Sequence, residues 1–151
     1  MGISACGKDE DAGPSYSFID QNLQGTVDGI PFTLKGGTFE DGFEDGEIFI
    51  DLYDINEQGE VCDLFFGEHV SVFFSIPNAV GLYELSFNLN SFDGRTVTLY
   101  NPDNSLNTIA TEGAVEILSI SATEVTGRLD ARANEINAVN GNFSAILCPT
   151  N

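Results

Sequence analysis

At 151 residues the chain is long enough for one domain with a hydrophobic core and too short for two of ordinary size. Its 42% hydrophobic content, with 12 Phe and 4 Tyr, excludes global disorder. The 24 acidic against 5 basic residues give a formal net charge of -19, which sets aside nucleic acid and anionic membrane surfaces as partners and leaves cations, basic proteins and neutral ligands.

Residues 1–20 read as a flexible tether, since Gly7, Lys8, Asp9, Glu10, Asp11, Gly13, Pro14 and Ser15 offer no apolar face that repays ordering. Residues 21–151 read as one all-β domain, because from Leu23 onward the apolar period is two. Asp28-Gly29 followed by Pro31-Phe32 predicts a tight hairpin. Ile48, Phe49, Ile50, Leu52 and Tyr53 make a strand that is apolar on both sides, hence central or partly ligand-facing. One-faced strands are predicted at Val70, Val72, Phe74 and Ile76, and at Tyr83, Leu85, Phe87 and Leu89, with shorter ones at Val97, Leu99 and at Val115, Ile117. Val125, Gly127, Leu129, Ala131 and Ala133 repeat the pattern, as do Val139, Gly141, Phe143, Ala145 and Leu147, and these two runs read as antiparallel neighbours. No sustained helical period follows residue 20. The fold expected is a single antiparallel β-sandwich of eight or nine strands, immunoglobulin-like or related, with a closed or clam-like β-barrel as the alternative.

Three cysteines, Cys6, Cys62 and Cys148, leave one unpaired if the protein is exported. Cys62 and Cys148 lie in the folded part and are the economical pair, with two buried thiols as the alternative. There is no Cys-x-x-Cys and His69 is the only histidine, so dithiol redox chemistry and an ordinary structural zinc site lack their ligands. His69 reads as a strand-end residue, and no Gly-x-Ser-x-Gly surrounds a serine. Carboxylates such as Asp51 with Asp54, or Glu44 with Asp45, are the only material for a glycosidase, and their abundance weakens any one pair. The best cation candidate is Glu40, Asp41, Glu44, Asp45 and Glu47, whose oxygens and intervening glycines suit calcium; a solvated acidic loop is the simpler reading. Asp54 to Glu60 has the early spacing of a calcium loop but Phe65 where the closing glutamate belongs. Phe39 and Phe43 are expected to plug the end of the core, with an exposed aromatic platform for stacking on a sugar as the alternative, and Arg95, Arg128 and Arg132 to pair with acids across strands.

Ile3-Ser4-Ala5-Cys6-Gly7 resembles the end of a bacterial lipobox, with Met1 then a truncated or expression start. Cys6-Gly7-Lys8-Asp9-Glu10 is similar to the surface-export signal of Bacteroidetes lipoproteins. The resemblance implies lipidation at Cys6, an export signal at Lys8, Asp9 and Glu10, and display on the outer face of the outer membrane. More diffusely, Gly25 to Gly29, Gly81 to Leu85, Gly113 to Ile117 and Val139 to Ala145 resemble small β-rich Bacteroidetes lipoproteins of unassigned function. The function expected is a non-enzymatic surface lipoprotein, a binding or accessory subunit of an outer-membrane transport or secretion complex. A calcium-stabilised adhesion or glycan-binding module is the alternative, and a glycan hydrolase the third reading. No cofactor is required, with Ca2+ the one considered.

Overall fold

The computed structural model describes residues 16–54, 61–63, 68–88, 90 and 93–148, and the expectations at Cys6, Lys8, Asp9, Glu10, Asn56 to Glu60, Phe65 and Leu89 lie outside them. The described residues form strands β1 (Gln24–Val27), β2 (Ile30–Thr33), β3 (Gly36–Asp41), β4 (Glu47–Tyr53), β5 (Ser71–Pro77), β6 (Gly81–Glu84) and β7 (Ser86–Asn88). They continue with β8 (Asp93–Arg95), β9 (Val97–Asn101), β10 (Leu106–Ala110), β11 (Glu112–Ile120), β12 (Glu124–Asn134) and β13 (Asn137–Leu147). The one helical element among them is a 3-10 turn at Val61–Asp63. The all-β class is as expected from the alternating pattern.

The main sheet has 11 strands, in the order β10-β9-β5-β4-β3-β13-β12-β11-β6, with β1 beside β13 and β2 beside β1; β7 and β8 form a separate ribbon. It curls into a half-barrel, so that β10 packs against β12 and β13 across the core. That shape combines features of the sandwich and the barrel. Two findings depart from the sequence expectation. The pairing of β3 with β13 is parallel, through Thr38–Ile146 and Phe39–Leu147, and splices the N-terminal hairpins onto the last strand. The strand count is higher than eight or nine, because short pieces such as β7, β8 and β10 carry too few residues to display a period.

The core is the inward set of the alternating strands: Ile48, Ile50 and Leu52 of β4, Val72, Phe74 and Ile76 of β5, Val125, Leu129 and Ala131 of β12, and Val139, Phe143 and Ala145 of β13. Phe74 and Phe143 meet edge-on at 6.0 Å between ring centres and join the two sides of the curl. The β1–β2 hairpin turns at Asp28 and Gly29, both with positive φ (52° and 77°), the conformation that a two-residue hairpin matching strand twist requires. The β12–β13 pair forms over nearly its whole length, as the two alternating runs predict. In the run from Tyr83 to Leu89 the single predicted face breaks: Leu85 is buried but Phe87 is 44% exposed, because the chain leaves the main sheet after β6 and pairs as β7 with β8.

On the outward face of β12 and β13 lies the segment Tyr16–Asn22, whose first five residues the sequence places in the tether. Ser17 N–H donates to Asp130 Oδ2 (3.0 Å), Ile19 N–H to Asn140 Oδ1 (2.8 Å), and Asn140 Nδ2 returns a bond to the Ser17 carbonyl (2.8 Å). The expected cross-strand charge pairing is present at two of the three arginines: Arg128 reaches Glu116, its cross-strand partner, and stacks over Phe18 at 4.7 Å, while Arg132 reaches Glu112 across the strands (3.4 Å) and also binds Asp130 on its own strand (2.9 Å). Arg95 instead lies over the Tyr83 ring at 5.2 Å.

Candidate functional site

Strand β4 is the one whose both faces the sequence marks as apolar. Its inward residues Ile48, Ile50 and Leu52 enter the core, so strict alternation sends Phe49, Asp51 and Tyr53 to the outer face. Register then sets their neighbours: Thr38 and Phe73 flank Asp51, while Glu40 and Ser75 flank Phe49. Thr38, Glu40, Phe49, Asp51, Tyr53 and Phe73 floor a groove of about 820 Å³, walled by Val61, Leu147 and the Cys62–Cys148 disulfide and reached by Phe43. The disulfide is the pairing expected from the sequence, with Cα atoms 5.5 Å apart and 86 residues between its ends. Cys148 follows the last strand and Cys62 sits in the 3-10 turn, so the bond ties that turn over the groove.

Aromatic rings run along the floor. Phe43 and Phe49 are 6.0 Å apart and Phe49 and Phe73 are 5.7 Å apart, each pair tilted, and the Tyr53 ring meets His69 edge-on at 6.4 Å. His69 lies in the bend two residues before β5. Phe39 is 8% exposed and plugs the core as expected, but Phe43 is 92% exposed. The reason is its position in the turn beyond Asp41–Ile48, the last rung of the β3–β4 ladder, from which it cannot reach inward.

Asp51 is 3% exposed in the middle of this apolar floor. Its Oδ2 accepts the Tyr53 hydroxyl at 2.7 Å, and its Oδ1 has no hydrogen-bond partner among the described residues. Burial, opposed by the Tyr53 bond and reinforced by the charge of Glu40, pushes its carboxyl up to about 6. Burial and the neighbouring Asp51 push the Tyr53 hydroxyl upward as well, so it stays a neutral donor.

The carboxylates singled out by sequence are distributed rather than gathered. Glu40 and Asp41 line the groove, Glu44 and Asp45 are exposed in the β3–β4 turn, and Glu47 opens β4, its N–H bonded to the Glu44 carbonyl (3.1 Å). Among the described residues no three His, Cys, Asp or Glu side chains are grouped as metal ligands. Asp54, three residues after Asp51, leaves the groove and is held by Lys35 Nζ (2.8 Å) and Thr33 N–H (3.2 Å). Sequence reasoning ranked Asp51 no higher than other acids, gave Phe49 only as part of a central or partly ligand-facing strand, and did not find Phe73, Val61 or Leu147 as groove residues. The available signal was an acid placed between Ile50 and Leu52, inside the most apolar strand of the chain. Comparison with protein-family models, curated proteins and solved structures gives no match.

Proposed function

We propose that the chain is a non-enzymatic binding module, held at the outer face of the outer membrane by lipid on Cys6 and serving as an accessory subunit to a partner or ligand that enters the groove over β3, β4 and β5. The observation that carries the binding reading is the groove itself: a volume of about 820 Å³ lined by aromatic rings around a buried acid with one open oxygen, on a sheet face that solvation alone would leave polar. Anchoring and surface display rest on the lipobox-like Ile3 to Gly7 and the export-like Lys8, Asp9 and Glu10. The test is expression behind a lipoprotein leader, followed by fatty-acid labelling, protease shaving of intact cells and co-purification from detergent-solubilised outer membranes. Labelling abolished by Cys6→Ala, surface cleavage and a retained partner are expected; recovery only as an unlipidated lone monomer overturns the proposal.

A second reading, glycan hydrolysis, is favoured by one observation: Asp51 and Glu40 line the same groove, and a carboxyl raised to about 6 suits a general acid. Release of reducing ends from oligosaccharides, abolished by Asp51→Asn, would support it; no release across a glycan panel rejects it.

A further inference from the structure

The binding reading leaves open what chemistry the groove selects, and the unpaired oxygen of Asp51 narrows it. A buried acceptor without a donor is disfavoured strongly, and more so when ionised, unless something supplies the missing hydrogen bond. No cation of this chain does so among the described residues. The sequence has no lysine or arginine from Gly36 to Gly94, and Lys35, Arg95, Arg128 and Arg132 are engaged by Asp54, Tyr83, Glu116 and Asp130. Among the described residues every charged side chain that lines the groove, Glu40, Asp41 and Asp51, is acidic.

Resting on the binding reading above, we propose that the groove receives a cationic nitrogen on an apolar stem, a primary ammonium or guanidinium, which donates to Asp51 Oδ1 while its stem and charge lie along the Phe43, Phe49 and Phe73 rings. The three features act together. A carboxylate at the floor gives the charge an ion-pair partner in low dielectric, ring faces attract cations, and the net charge of -19 concentrates cations near the surface. A neutral sugar would find few matched donors and acceptors, since among the described residues Thr38 and Tyr53 are the only hydroxyl side chains in the lining and Tyr53 is already bonded to Asp51.

Among the described residues the groups that face Asp51 are Tyr53 on its own strand and Glu40 on β3; Phe73 on β5 and the disulfide bring no charge, and His69 meets the Tyr53 ring edge-on at 6.4 Å. Cation binding therefore weakens as pH falls through the Asp51 transition at about 6, while an alkylammonium probe stays charged.

The experiment is titration of the full 151-residue protein with n-hexylammonium, n-hexanol and maltohexaose, followed by amide NMR shifts of β3, β4 and β5. Expected are saturable shifts with hexylammonium, binding at least about tenfold weaker for hexanol, a loss of about tenfold on Asp51→Asn, and a loss of about threefold or more on Phe43→Ala, whose exposed ring is not needed for folding. Wild-type affinity should fall about tenfold from pH 7.5 to pH 5, and that of Asp51→Asn should stay flat. Equal binding of hexanol, or an Asp51→Asn protein that binds hexylammonium as wild type does, overturns the inference. Groove shifts with maltohexaose and none with hexylammonium overturn the cation assignment and leave the binding reading standing. No shifts with any probe, together with a lone monomer from solubilised membranes, overturn both.

Discussion

Two aspartates on the outward face of one sheet are almost equally buried, Asp130 at 2% and Asp51 at 3% exposed, yet their surroundings differ in kind. Asp130 on β12 is enclosed by donors: Arg132 Nε at 2.9 Å and Nη2 at 3.3 Å, and the Ser17 N–H at 3.0 Å. Among the described residues Asp51 on β4 has one hydrogen-bond donor, the Tyr53 hydroxyl, in a groove otherwise lined by aromatic rings, Thr38, Val61, Leu147, the disulfide and two further acids. A buried charge with a full set of partners acts as a clamp, here fixing residues 16–20 onto β12 and β13. A buried charge left half-satisfied at a groove destabilises the free fold, and that penalty is what the proposed cation binding would relieve.

The disulfide joins the two regions, since Cys148 ends the strand paired with β12 and Cys62 covers the groove. Replacing both cysteines by serine should have the largest effect, a loss of about 2 to 4 kcal/mol, because an 86-residue loop is released in the unfolded chain. Urea denaturation checks it; an unchanged midpoint would mean that the covering turn adds nothing to the fold. Asp130→Asn comes next, with a loss of about 2 to 3 kcal/mol as two charge-assisted interactions weaken together. Faster hydrogen exchange at Ser17 should accompany it. If Ser17 stays protected, Asp130 is not the clamp.

What could be read from sequence follows the same division. β12 and β13 have one face in the core and one face polar over eleven residues each, so their alternation and pairing were legible. So were the Asp28-Gly29 turn and the two-sided apolarity of β4, which read as a central or partly ligand-facing strand and which lies between β3 and β5 in the main sheet. The parallel splice of β3 to β13 was not, because it depends on Thr38 meeting Ile146, residues with no local signal for each other. The isolation of Asp51 was not legible either: an aspartate in a strand reads as solvated until register places Phe49 and Phe73 around it. Phe43 misled for the opposite reason, as a phenylalanine near a strand end is expected inside, and only the length of the β3–β4 ladder puts it out.

Asp51→Asn should move stability in the opposite direction to Asp130→Asn. Its carboxyl titrates at about 6 in the fold against an ordinary value of 3.8, so the folded state holds the proton more tightly. That contribution is complete below pH 3.8 and is lost as pH rises to about 6, leaving a penalty of order 3 kcal/mol above it. Replacing the acid by its neutral isostere removes the penalty. The variant should be more stable than wild type by about 1 to 3 kcal/mol near neutral pH, with the difference fading toward about pH 4. Paired melts at several pH values measure this. A destabilised variant at neutral pH would place Asp51 with Asp130, as a structural group.

The smallest effect belongs to the solvated face. Glu116 and Arg128 are cross-strand partners on β11 and β12, with side chains 27% and 39% exposed. Glu116→Gln should lower stability by about 0.2 to 1 kcal/mol, shrinking in high salt, since exposed pairs are weak and screened. Both Glu116→Gln and Asp51→Asn delete one negative charge from a chain of net charge -19, so relief of general repulsion would stabilise both equally. Opposite signs for the two, measured in one buffer, assign the Asp51 effect to its local burial. A stabilised Glu116→Gln would assign both to net charge, and the contrast between the two regions would fall.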